Sequence, residues 1–155
     1  MKDSTAQLTS LTQWSKERIQ KIFESPSDKD SIRAIEETFS KNVDATINGR
    51  KITFGDIKQS VLSIRKDSRS GGLRVQWHQT VEAPINSSNE EGSFGGTYSI
   101  EGIQRVLPGD QVPTSFKRQK TVIVRIKAHC TETAMDSRRI VTLAFVAADL
   151  RIEQS

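Results

Sequence analysis

Two histidines, one cysteine and scattered carboxylates are the side chains with obvious reactive chemistry, and their spacing limits what they could do. His78 and His129 stand far apart with no ligand-type residues clustered around them, so no metal site is expected. The single Cys130 can form neither an internal disulfide nor a cysteine-based zinc site. It follows Ala128 on a core-facing row, which reads as a buried, inert thiol. The glycines in "SGG" and "FGG" lack the Lys-Ser or Lys-Thr of a phosphate-binding loop, and no cofactor is expected. No carboxylate pair is forced together, and no serine, histidine and acid arrangement can be read. Asp44, just before the Asn48-Gly49 pair, is the one candidate general base; its other reading is a hairpin-edge residue in water.

Helical and strand periodicities must position these groups. Leu8, Leu11, Ile19, Ile22 and Phe23 recur at helical spacing, with Ser4 and Gln7 placed as a capping box. "SPSDKD" ends that helix and caps a second carrying Ile32, Ile35 and Phe39. Val43, Ala45 and Ile47 then alternate up to Asn48-Gly49, the pair that best tolerates the positive dihedrals of a two-residue hairpin turn. Thr53 with Asp56 caps a third helix through Phe54, Ile57, Val61 and Ile64. Beyond Gly72 the period becomes two. Leu73, Val75, Trp77, Gln79 and Val81 share one strand face, and Arg74, Gln76, His78, Thr80 and Glu82 share the other, wet one. A weaker strand is expected around Tyr98 and Ile100, and a long one through Val122, Val124 and Ile126. The last strand, Arg139 to Ile152, is apolar on both faces and expected to be buried on both.

Composition closes off other classes. At 155 residues the chain reads as one domain, 1–155, and at 34% hydrophobic and 27% charged residues it reads as an ordinary soluble protein. No apolar run spans a bilayer, and "MKDSTAQLTS" carries no secretion signal, which predicts a cytoplasmic protein with no membrane contact. The net charge of +4 would suit an anionic partner, but no aromatics alternate with the cations, which argues against nucleic acid.

The order helix, helix, tiny hairpin, helix and long strands, with "INGRKITFGDI" between the helices, resembles the nuclear transport factor 2-like (SnoaL-like) superfamily. The resemblance implies an α+β, cone-shaped fold with three N-terminal helices packed on a strongly curved antiparallel sheet. That superfamily includes isomerases, dehydratases and cyclases as well as non-catalytic association domains, so it leaves open whether the chain is an enzyme. Two functions are expected from the residues. One is a cavity for a small hydrophobic molecule lined by Trp14, Trp77, Gln79, Tyr98, Thr142 and Ala144, the small residues leaving room. The other is a non-catalytic dimerisation or interaction module with a packed interior. Ile123, Val141, Leu143 and Phe145 would project outward as an apolar patch, and superfamily members commonly dimerise through this surface, so a homodimer is expected. A β-bulge that reverses parity would instead turn this face toward the helices.

Overall fold

A computed structural model describes residues 8–129 and 136–152. Ser4, Gln7 and Cys130 lie outside the described residues, and with them the first capping box and the buried thiol. The elements run α1 (Leu11–Glu24), α2 (Asp28–Thr38), β1 (Phe39–Ile47), β2 (Arg50–Ile52), α3 (Phe54–Lys66), β3 (Arg74–Pro84), β4 (Glu91–Arg105), β5 (Thr114–Ala128) and β6 (Arg138–Arg151).

Each helix begins where its sequence offers a side-chain oxygen to the unpaired amides of its first turn. Ser10 accepts from the Gln13 amide at 3.0 Å, and Ser27 accepts from Asp30 at 3.1 Å. Thr53 and Asp56 form the reciprocal capping box of α3, at 3.1 and 2.9 Å. The turn between β1 and β2 has positive φ at both Asn48 (49°) and Gly49 (83°), the geometry that makes Asn-Gly the favoured pair there. Asn48 also ties the hairpin to β6. Its backbone amide donates to the Phe145 carbonyl, its side-chain amide donates to the Ala147 carbonyl, and its side-chain oxygen accepts from the Ala147 amide.

The six strands form one sheet in the order β2-β1-β6-β5-β4-β3. The sheet is mixed, because β1 runs parallel to β6 while the other neighbours are antiparallel. It is open, with edges at β2 and β3, rather than the strongly curved and wholly antiparallel sheet expected. The parallel pair arises because α3 and three long strands intervene before the chain returns beside β1. The turn between β3 and β4 is short, residues 85–90, since β4 already starts at Glu91.

Three bulges reset which residues face the helices. An extra residue in β6 at Val141 lets both Ile140 and the pair Leu143 and Phe145 point inward. His78 is the extra residue in β3, so Trp77 stays inside while Gln79 and Val81 turn out. A third bulge in β4 lies between Ile100 and Ile103. At Gly102, where φ is +99°, a Cβ would come within 2.4 Å of the Gly72 carbonyl oxygen. Helices α1 to α3 cover the inner face and bury one core, in which Ile22, Ile35, Ile100, Val124 and Ile126 are fully enclosed.

Candidate functional site

Inside that core a cavity of about 90 Å³ lies between the helices and the inner sheet face. The helices contribute Ile19, Ile22 and Phe23 of α1, and Asp56, Ile57, Ser60 and Val61 of α3. Strands β4 to β6 contribute Tyr98, Lys120, Val122, Val124, Leu143 and Phe145. Ile47 and Ile52 of the hairpin are half-buried and Asp56 is exposed, so the cavity opens between the hairpin and the first turns of α3. The "INGRKITFGDI" stretch therefore shapes the mouth.

Lys120 is the unusual member of this lining. It is the inward-facing residue of β5 between Tyr98 on β4 and Ala147 on β6, and only 7% of its surface is exposed. Its Nζ lies 4.5 Å from the ring centroid of Phe145, 5.0 Å from that of Phe23 and 5.6 Å from that of Tyr98. Among the described residues it makes no hydrogen bond and no salt bridge; it faces three aromatic rings, and Nζ is not one of the fully enclosed unpaired polar atoms there, which are Trp14 Nε1, Ser15 Oγ and Trp77 Nε1. Burial in this apolar setting, reinforced by repulsion from Arg118 and opposed by Asp149, lowers the amine to about 7.

The carboxylate whose charge acts on Lys120, Asp149, is engaged elsewhere. Asp149 pairs with Arg118 at 2.7 Å and with Arg105 at 2.8 Å, and Arg105 also holds Asp67 at 2.9 Å. The Arg118 hydrogen bond, with help from Arg105 and against partial burial, holds the Asp149 carboxyl down at about 2. Burial pushes the Tyr98 phenol well above its usual range, partly offset by Arg118, so it remains a proton donor at any ordinary pH.

Of the six residues expected from the sequence to line a cavity, Tyr98 does so and Trp14, Trp77, Gln79, Thr142 and Ala144 do not. Trp77 stands one layer behind, its ring 4.5 Å from that of Tyr98 and 5.8 Å from that of Phe94. Trp14 is buried in α1 beneath the Arg138 guanidinium, 5.5 Å from its ring. Gln79, Thr142 and Ala144 point to the outer face because of the His78 and Val141 bulges. Asp44 pairs with Thr142 on that same outer face and is exposed, so it cannot serve the cavity. Leu143 and Phe145, expected outside as the centre of an interface, are core residues, and Val141 sits half-buried in the bulge. Ile123 remains outside as expected, 64% exposed. His78 bonds the Ser99 hydroxyl at 2.8 Å, and His129 is exposed. No cluster of metal-binding side chains occurs among the described residues. Nor is any helix there long and apolar enough to cross a membrane. Lys120 escaped the sequence reading although the signal was present, since it shares the parity of Val122, Val124 and Ile126 and interrupts their apolar row with a charge.

No family model and no curated protein matches this chain. Its architecture is nevertheless similar to solved structures over nearly its whole length. A chain of the Mtr2-Mex67 M domain complex of C. albicans superposes with a TM-score of 0.52 at 9% identity, covering 94% of this chain and 96% of that one. An NTF-2-like protein of unknown function from Pseudomonas aeruginosa gives 0.51 at 9% identity, covering 88% and 94%. A ketosteroid isomerase-like protein from Erwinia carotovora atroseptica gives 0.50 at 12%, covering 90% and 94%. At such identities the likeness shows the fold alone: this chain has the nuclear transport factor 2-like fold.

Proposed function

We propose that the chain binds a small, largely apolar molecule in the cavity, with one polar atom of that molecule set against Lys120. The observation that carries this reading is the bare amine: a buried ammonium with no carboxylate or carbonyl partner is costly, and a ligand acceptor atom would relieve that cost. The cavity is smaller than the roughly 150 Å³ that admits a benzene ring, so it encloses about four heavy atoms of an occupant. A longer molecule would extend through the opening beside Asp56. Titration with butan-1-ol tests this. The wild-type melting temperature should rise with alcohol concentration by mass action. Val122→Phe, which fills the cavity from β5, should abolish the rise. An unchanged melting temperature for the wild-type protein would overturn the proposal.

A second reading, self-association, draws on the outer sheet face. Val81, Gly95, Ile123 and Ala144 occupy successive strands in one register row, and Gln79, Thr97, Thr121 and Val146 form the next. Val81, Ile123 and Val146 are 70%, 64% and 63% exposed. Neither row carries an ionisable side chain, so a second copy of the same surface meets no like-charge repulsion. The homodimer thus rests on the face opposite to Phe145. Light scattering at high concentration should give twice the monomer mass for the wild-type chain and the monomer mass for Ile123→Glu; a monomeric wild type would end this reading.

A further inference from the structure

We propose that Lys120 is a covalent acceptor for a short aldehyde or ketone, condensing with it to an imine inside the cavity. The inference rests on the cavity-binding reading and names its ligand class. Three observations carry it. The amine projects into enclosed space lined mainly by aliphatic and aromatic side chains, so a small carbonyl compound can reach it without displacing a partner. The rings of Phe23, Tyr98 and Phe145 surround Nζ at 4.5 to 5.6 Å, and ring faces favour the cationic iminium that condensation produces. The carboxylate best placed to hold Lys120 as an ammonium, Asp149, is already bonded by two guanidinium groups. The charged and titratable groups around Nζ are Arg118 on its own strand, Asp149 on β6, Tyr98 on β4 and Asp56 at the rim on α3; α1 presents only Phe23 and aliphatic residues to the cavity.

The step balances without an oxidant or reductant. The nitrogen lone pair attacks the carbonyl carbon, and the oxygen takes a proton, giving a carbinolamine. The C–O bond then breaks, water departs through the opening beside Asp56, and a C=N bond joins Lys120 to the ligand. The oxygen's first proton comes from the attacking nitrogen; a solvent proton then turns the hydroxyl into departing water and leaves the iminium, which returns that proton to reach the imine. An amine lowered to about 7 is about half free base at pH 7, whereas an exposed lysine is almost wholly protonated there.

The test is reductive trapping. Wild-type chain is incubated at pH 7 with dilute butanal and cyanoborohydride, and each lysine is followed by peptide mass mapping. Lys120 should acquire an N-butyl group on the order of a hundredfold faster than the exposed lysines, since its neutral fraction exceeds theirs by more than that. Prior occupation by butan-1-ol, which fits the same space and cannot condense, should slow Lys120 alone. Lys120→Arg should lose this fast modification while the exposed lysines react as before; because all sites are read within one wild-type sample, the result stands even if that variant folds poorly. Reaction at Lys120 no faster than at the exposed lysines overturns the covalent role. If butan-1-ol still raises the melting temperature in that case, cavity binding survives without it; if it does not, both fall.

Discussion

Among the described residues two cations are buried, and they are treated in opposite ways. Arg138, at the start of β6, is 1% exposed and fully engaged. Its guanidinium donates to Asp136, to the Thr9 carbonyl and hydroxyl, and to the Asn89 carbonyl, at 2.7 to 3.0 Å. It ties the segment before α1 and the turn before β4 to the sheet. Lys120, farther along the inner face on β5, has ring faces and an open cavity in place of such partners. A buried charge that is fully bonded fixes structure. One left unbonded beside empty space costs stability, and that cost is what a ligand can recover.

The contrast can be broken most severely at Arg138. Arg138→Met would leave the Asp136 carboxylate and two backbone carbonyls without their donors, and a loss of about 3–5 kcal/mol is expected in denaturant unfolding. At Lys120 the sign reverses. Lys120→Met keeps the length and apolar stem, removes the buried amine, and should stabilise the fold by a few kcal/mol at pH 6. Its pH dependence sharpens the point. Below pH 7 the folded and unfolded wild-type chains both hold the Lys120 proton, and the folded one bears the whole cost. Between pH 7 and about 10.4 the unfolded chain keeps a proton that the folded chain has released, so Lys120's contribution to stability improves as pH rises. The advantage of Lys120→Met should therefore shrink steadily toward pH 10, as unfolding curves at several pH values would show.

Smaller effects test the frame around the cavity. Asn48→Ala removes two side-chain bonds to Ala147 and puts a residue that lacks asparagine's tolerance of the left-handed region at φ 49°, so about 1–2 kcal/mol should be lost, with the cavity mouth loosened. Ile123→Glu, on the outer face, should change monomer stability by less than about 0.5 kcal/mol, since it alters solvent contact rather than core. An unfolded Ile123→Glu protein would mean that the outer face is covered within the monomer.

The hairpin and the third helix were legible because their signals are local: Asn48-Gly49 and the Thr53–Asp56 box each determine a few adjacent dihedrals and hydrogen bonds, whereas α1 starts at Leu11 behind Ser10, leaving Leu8 outside it, and Phe39 opens β1 rather than ending α2. The alternation of β5 was legible too, and reading it through to Lys120 would have found the site. What failed was strand parity beyond a bulge. A single extra residue at Val141 inverts every assignment after it, which placed Phe145 outside and Ala144 inside. His78 did the same to Gln79 and Val81. Nothing in the residues at 78 or 141 announces a bulge, because bulge positions follow from how neighbouring strands and helices pack. The parallel pairing of β1 with β6 is likewise a long-range outcome.

The central claim is that the Lys120 amine is desolvated and unpartnered in a cavity of the folded protein. Following the lysine side-chain NMR signals through a pH titration tests it most directly, with Lys120→Met used to assign the Lys120 resonance. A midpoint near 7 for that one resonance, with the other lysines titrating near their ordinary value of about 10.4, is the expected result. A Lys120 midpoint among those of the exposed lysines would contradict the account.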